Sequence, residues 1–113
     1  MKIKKIKRQW KVGLKNDILI SEKCVIQLMN NEQISFSSKN FKNIDNEICK
    51  KKWGYYLTPS VNKRLKKYKH KVFILENSSK NFYLAIVKNS NFFDFKKYCK
   101  NENLKFFSLT KIS

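Results

Sequence analysis

The sequence predicts an α+β fold: a single two-layer domain spanning 1–113, with a mostly antiparallel sheet of about five or six strands under two short helices on one face. Three observations carry that expectation. The first half is rich in short β-branched and aromatic runs with alternating polarity. The second half alternates apolar runs of strand length with two segments of helical period. The chain has two Gly and one Pro, which leaves few places to break a domain. The expected order is β-β-β-β-α-β-β-α-β.

The elements follow in turn. "KIKKIKRQWKV" sets Ile6, Arg8, Trp10 and Val12 on one face and Ile3, Lys5 and Lys7 on the other. That is a strand with one apolar face, or in a looser form an N-terminal arm over 1–20. "DILI" is a short strand, and "KCVIQLM" and "QISFS" are two more. Asn30 and Asn31 stand between the last two and suit the positive φ of a tight hairpin turn. In "QISFS", Ile34 and Phe36 alternate with polar residues, as in an outer strand. Residues 38–50 read as polar and irregular.

Val61, Leu65 and Tyr68 fall on one face of a helix, with Thr58 as its cap and Pro59 at its first position, where a missing N–H costs nothing. "KVFILE" (71–76) is a strand, and "NSSKN" is a turn. "FYLAIVK" (82–88), apolar on both faces, reads as the central strand. Asn91 and Asp94 begin a second helix with Phe92, Phe95 and Cys99 on its inner face. "LKFFSL" closes the chain as a strand.

The net charge is +18, from 26 Lys and Arg against 8 Asp and Glu. A field of that sign attracts nucleic acid, anionic lipid and anionic metabolites. Only Arg8 and Arg64 are arginines, however, and bidentate recognition of phosphates and bases favours Arg over Lys. Lys, Asn, Ile, Phe and Tyr share A/T-rich codons, so a genome of low G+C content raises them together and spreads lysines over solvated faces. There is no run of 18 apolar residues, so no membrane span is expected. The N-terminus lacks the apolar stretch of a secretion signal, which points to the cytoplasm.

Catalytic constellations are absent from the pattern. The eight acids are scattered, and only Asp45 and Glu47 are close. His70 is the one histidine, in a Lys-rich turn where a solvated side chain is expected. Cys24, Cys49 and Cys99 are odd in number and far apart, which fits reduced thiols and neither a disulfide framework nor a zinc site. No P-loop or dinucleotide fingerprint occurs. The expectation is a non-catalytic binding domain with no metal and no cofactor.

The densest constellation is "WGYYLTPSVNKRL". A helix start offers unpaired N–H groups, to which Thr58, Ser60 and Asn62 add side-chain donors and Arg64 a planar fork. Trp53, Tyr55 and Tyr56 can form a stacking wall, and Gly54 lets the backbone approach closely. These residues suit a small anion or a phosphorylated metabolite such as a sugar nucleotide. The same residues read equally as a well-capped helix with core aromatics, Arg64 pairing with Asp45 or Glu47. A second candidate is an RNA-binding face of Lys63, Lys66, Lys67, Lys69 and Lys71, whose plainer reading is a solvated helix face. The wealth of Phe allows a third role, an accessory subunit of an acidic partner enzyme.

"NEQISF", an acidic loop, "WGYYLTPSVNKRL", "KVFILEN", "FYLAIVK" and "FKKYCKNEN" follow one another in an order that resembles an uncharacterised family of small bacterial proteins. That family carries a W-G-[FY]-Y-x-T-P-S-x-N-x-R-L block and tends to accompany cell-surface carbohydrate genes. The resemblance runs over about residues 31–109 and implies that Trp53, Gly54, Tyr56, Thr58, Pro59, Ser60, Asn62 and Arg64 form the block. It implies no activity. "YKHK" stands where the family has a Gly-containing turn, and Val87-Lys88 lacks an intervening acid.

Overall fold

The computed structural model describes residues 1–60, 63–67 and 69–109, with only the backbone of Lys66 and Lys67. The chain divides into two compact units, Met1–Leu57 and Thr58–Ser113.

In the first unit, β1 (Lys2–Val12) pairs antiparallel with β2 (Ile18–Gln27), from Lys2 opposite Gln27 to Val12 opposite Ile18, with one irregularity between Lys5 and Arg8. Residues 2–12 thus take the strand form. The connection bends at Gly13 (φ 96°) and Asn16 (φ 53°), and the Asn16 N–H donates to the Gly13 carbonyl at 3.0 Å. "DILI" and "KCVIQ" are one strand and not two. The Ser21-Glu22 between them contains neither Gly nor Pro, so nothing interrupts the ladder. Ile6, Trp10 and Val12 are the half-buried residues of β1, which matches the alternation in the sequence.

A second sheet has the order β3-β4-β5, with β3 (Gln33–Phe36), β4 (Asn46–Lys51) and β5 (Gly54–Thr58). Asn31 takes the expected positive φ (65°), but the strands flanking it do not form a hairpin: β2 pairs with β1, and β3 with β4. β4 replaces the end of the expected irregular stretch. "NEICKK" has no alternation to reveal it, and the β3 ladder recruits it, Ile34 opposite Ile48 and Phe36 opposite Asn46. The loop ahead of β4 is ordered by its polar side chains. Asp45 accepts from the Ser38 N–H (2.8 Å), Asn40 from the N–H groups of Lys42 and Asn43, and Ser37 donates to the carbonyls of Asn40 and Asn43.

The second unit opens with α1 (Arg64–Lys67), a single turn. β6 (His70–Glu76), β7 (Phe82–Lys88) and β8 (Lys105–Ser108) form an antiparallel sheet in the order β7-β6-β8. α2 (Phe92–Asn101) follows a 3₁₀ turn, Asn89–Asn91. The central strand is β6, which corrects the placement of 82–88. Both runs are apolar, but β6 carries buried Val72, Phe73 and Leu75, while Phe82, Tyr83 and Leu84 on β7 are exposed. The "NSSKN" turn forms as expected. Asn77 accepts from the N–H groups of Ser79 and Asn81, and Lys80 takes φ 62°.

Phe92 and Phe95 of α2 lie against Phe73 and Phe106, with ring centroids 5.0–6.1 Å apart. The helix ends on Asn103 (φ 55°), where the Leu104 N–H donates to the Cys99 carbonyl at 2.8 Å. This is a Schellman closure with Asn in the glycine role.

The class is therefore α+β with mostly antiparallel strands. Among the described residues three small sheets stand in place of one, two unforeseen strands, β4 and β5, precede α1, and only α2 is longer than a turn. The helix expected from Val61, Leu65 and Tyr68 is described only at Arg64–Lys67. Val61 and Tyr68 lie outside the described residues.

Candidate functional site

The block from Trp53 to Arg64 falls on both sides of the division, Trp53, Gly54 and Tyr56 in the first unit and Thr58, Ser60 and Arg64 in the second. Asn62 lies outside the described residues.

In the second unit, Thr58 ends β5. The capping role is taken two residues later. The Ser60 hydroxyl accepts from the Arg64 N–H at 3.2 Å, and the Ser60 carbonyl accepts from the N–H groups of Leu65 (3.0 Å) and Lys63 (3.4 Å). Ser60 thus engages three of the N–H groups at this turn. The Lys63–Lys71 set is spread over several elements. Lys63 is exposed before α1, Lys66 and Lys67 are in α1 with side chains outside the described part, exposed Lys69 turns at φ 63°, and exposed Lys71 is on β6. No single helix face carries them. His70 is buried, at 6% exposure, because β6 begins at His70 and places it in line with Val72. This corrects the expectation of a solvated histidine.

In the first unit the geometry is more open. β4 ends at Lys51, Lys52 and Trp53 form a two-residue turn, and β5 begins at Gly54. So short a connection joins antiparallel strands. Gly54 has φ +147°, a conformation that L side chains rarely adopt, so a glycine is required whatever the free space around it. The tip presents its aromatics outward: Trp53 is 72% exposed, Tyr55 60% and Tyr56 54%. Trp53 and Tyr56 meet edge to face at 6.3 Å, and the Lys50 Nζ lies 5.9 Å from the centre of the Tyr55 ring.

The hairpin is tied to the preceding turn. The Asn31 N–H donates to the Lys50 carbonyl (2.7 Å), the Lys50 N–H to the Glu32 carbonyl (2.9 Å), and the Lys51 Nζ to the Asn31 side-chain oxygen (3.1 Å). The Lys50 Nζ also donates to the Lys51 carbonyl. Glu32 in turn accepts from the Met29 N–H at 2.7 Å and pairs with the N-terminal amine at 2.9 Å. The backbone donor first, and the amine after it, lower its pKa below the ordinary value. Lys50, Lys51 and Lys52 were missing from the sequence-based site. Their signal was the "KKKWGYY" run itself, three cations directly before three aromatics.

Among the described residues, no group of three or more His, Cys, Asp or Glu is placed to hold a metal ion, and no helix is long and apolar enough to cross a membrane. Cys24 and Cys49 are half-buried thiols. Cys99 is buried, and burial pushes its thiol pKa up.

No protein-family model matches the chain, and no curated protein and no solved structure matches it either.

Proposed function

We propose that the protein binds single-stranded nucleic acid through the β4–β5 hairpin. The observation that carries this reading is the exposure of Trp53, Tyr55 and Tyr56 on a tip that also bears Lys50, Lys51 and Lys52. Bases stack on exposed rings regardless of sequence, and lysines hold the backbone as point charges. With two arginines in the whole chain, bidentate base readout is a minor part of such a surface, and little sequence preference is expected. The net charge of +18 supplies the long-range attraction.

The test is fluorescence anisotropy with a labelled oligothymidylate over a salt series. Trp53→Ala is expected to weaken binding by about 1–3 kcal/mol, the usual worth of one stacked base. Lys42→Ala, in the loop before β4, should change it little. Binding that disappears near physiological salt and is the same in Trp53→Ala would reduce the reading to unspecific lysine attraction. The small-anion reading of Thr58, Ser60, Asn62 and Arg64 is separated in the same assay. Displacement of the oligonucleotide by a nucleoside diphosphate at low concentration, lost in Arg64→Ala, would favour it over the hairpin.

A further inference from the structure

A groove of about 490 Å³ runs along α2 in the second unit. That volume is within the range of small-ligand sites. Its floor is apolar: Cys99, Leu104 and Phe106, with Phe93 at one side. The local fold explains the floor. The Leu104 N–H bonds back to the Cys99 carbonyl, which brings Leu104 beside the helix, and Phe106 belongs to the aromatic cluster with Phe73, Phe92 and Phe95. The groove is thus an open flank of the packed core. The desolvated Cys99 thiol keeps its proton there and adds no charge.

The rim is wholly cationic. Lys96, Lys97 and Lys100 line the groove together with Phe93, and the four stand at i, i+3, i+4 and i+7 on α2. Among the described residues no acidic side chain lines it. Lysine stems lie along apolar surface while their ammonium groups stay in water. A hydrophilic anion would leave the floor uncovered, and a neutral hydrocarbon would leave the three ammonium groups without a counterion, Lys96 having only the Phe92 ring at 5.9 Å. A ligand that satisfies both has an apolar body and an anionic end.

We propose that this groove binds a single alkyl chain with an anionic head, as in a long-chain carboxylate or an alkyl phosphate. The chain lies over Cys99, Leu104 and Phe106. The head sits among the ammonium groups of Lys96, Lys97 and Lys100. The site is separate from the hairpin and does not depend on its role.

Calorimetric titration of the full chain with laurate, dodecyl phosphate and dodecylamine, each below its micelle concentration, tests it. The two anions should bind one per protein, and dodecylamine should bind at least about tenfold more weakly, the factor expected for losing a charged contact. Shortening the chain should weaken binding by about fourfold per methylene. Leu104→Trp, which fills the groove, should abolish binding. Lys100→Glu, an exposed change that spares the core, should weaken it about tenfold, while Lys11→Glu on β1 should not. Equal binding of laurate and dodecylamine, or laurate binding unchanged in Lys100→Glu, overturns the proposal. So does binding seen only with vesicles of phosphatidylglycerol, which would make α2 a membrane-surface contact and not a ligand site.

Discussion

Both units are built from antiparallel ladders, yet their interiors differ. Every buried hydrophobic side chain among the described residues, Leu65, Val72, Phe73, Leu75, Val87 and Cys99, belongs to the second unit. In Met1–Leu57 nothing described is fully buried. The first unit has backbone hydrogen bonds in plenty, and the second has those plus a helix that covers one face of its sheet. A ladder whose side chains are at most half-buried is marginal in water, since each hydrogen bond made replaces one to solvent. Stability is therefore expected to reside in the second unit, while the first carries the exposed aromatic tip of Trp53, Tyr55 and Tyr56.

The largest effect should come from Phe73→Ala. Phe73 contacts the rings of Phe92, Phe95 and Phe106 and is 4% exposed. Removal of such a ring costs about 3–5 kcal/mol. Amide hydrogen exchange reads both units at once. β6 amides should be the slowest in the wild type and should lose their protection in the variant, while β1 and β2 amides change little. Loss of protection in both units together would break the comparison, because it would make the chain one cooperative body.

Gly54→Ala reverses the pattern. At φ +147° an alanine is strained by about 1–3 kcal/mol, and the strain acts on the tip of the β4–β5 hairpin. Oligonucleotide binding should fall and the Trp53 emission should shift, with β6 exchange unchanged. Normal binding by Gly54→Ala would detach the hairpin's shape from its proposed role.

Ser60→Ala is smaller and tests the start of the second unit. Loss of a capping hydroxyl costs about 0.5–2 kcal/mol. Here the expected change is faster exchange of the Arg64 amide, since that N–H bonds to the Ser60 hydroxyl. An unaltered Arg64 amide would show that the turn holds without its cap.

What was legible in the sequence follows the same division. α2 could be read because Phe92, Phe95 and Cys99 combine helical spacing with a real core to face. Asn31 and the "NSSKN" turn could be read because Asn tolerates the required backbone shape. β4 could not, since "NEICKK" becomes a strand through its partner and not through its own pattern. β5 was hidden by Thr-Pro-Ser, which has the composition of a helix cap while the actual cap is Ser60. The ranking of β6 over β7 was beyond composition, because both runs are apolar and only the final packing shows which is flanked on both sides. Of the candidate site, Trp53, Gly54 and Tyr56 were visible as a cluster. The adjoining lysines were not counted, because a lysine run in a chain this basic looks like background.

The smallest expected effect is that of acid on Glu32. Its carboxylate accepts the Met29 N–H and pairs with the N-terminal amine, and both favour the charged form. The folded pKa thus lies below the unfolded one. The stabilisation is present in full above the ordinary carboxylate range and is lost as pH falls through the lowered value. Because the group is on the surface, the loss should be local. An NMR titration should show the Glu32 carboxyl titrating below the ordinary glutamate value, with the Met29 amide shift following the same curve. Glu32→Gln keeps an acceptor for Met29 but removes the charge, so it should abolish that amide's pH response while the turn persists. β6 exchange should not respond to either change. A Glu32 that titrates at the ordinary glutamate value would remove the anchor assigned to the turn, and a β6 response would again join the two units into one.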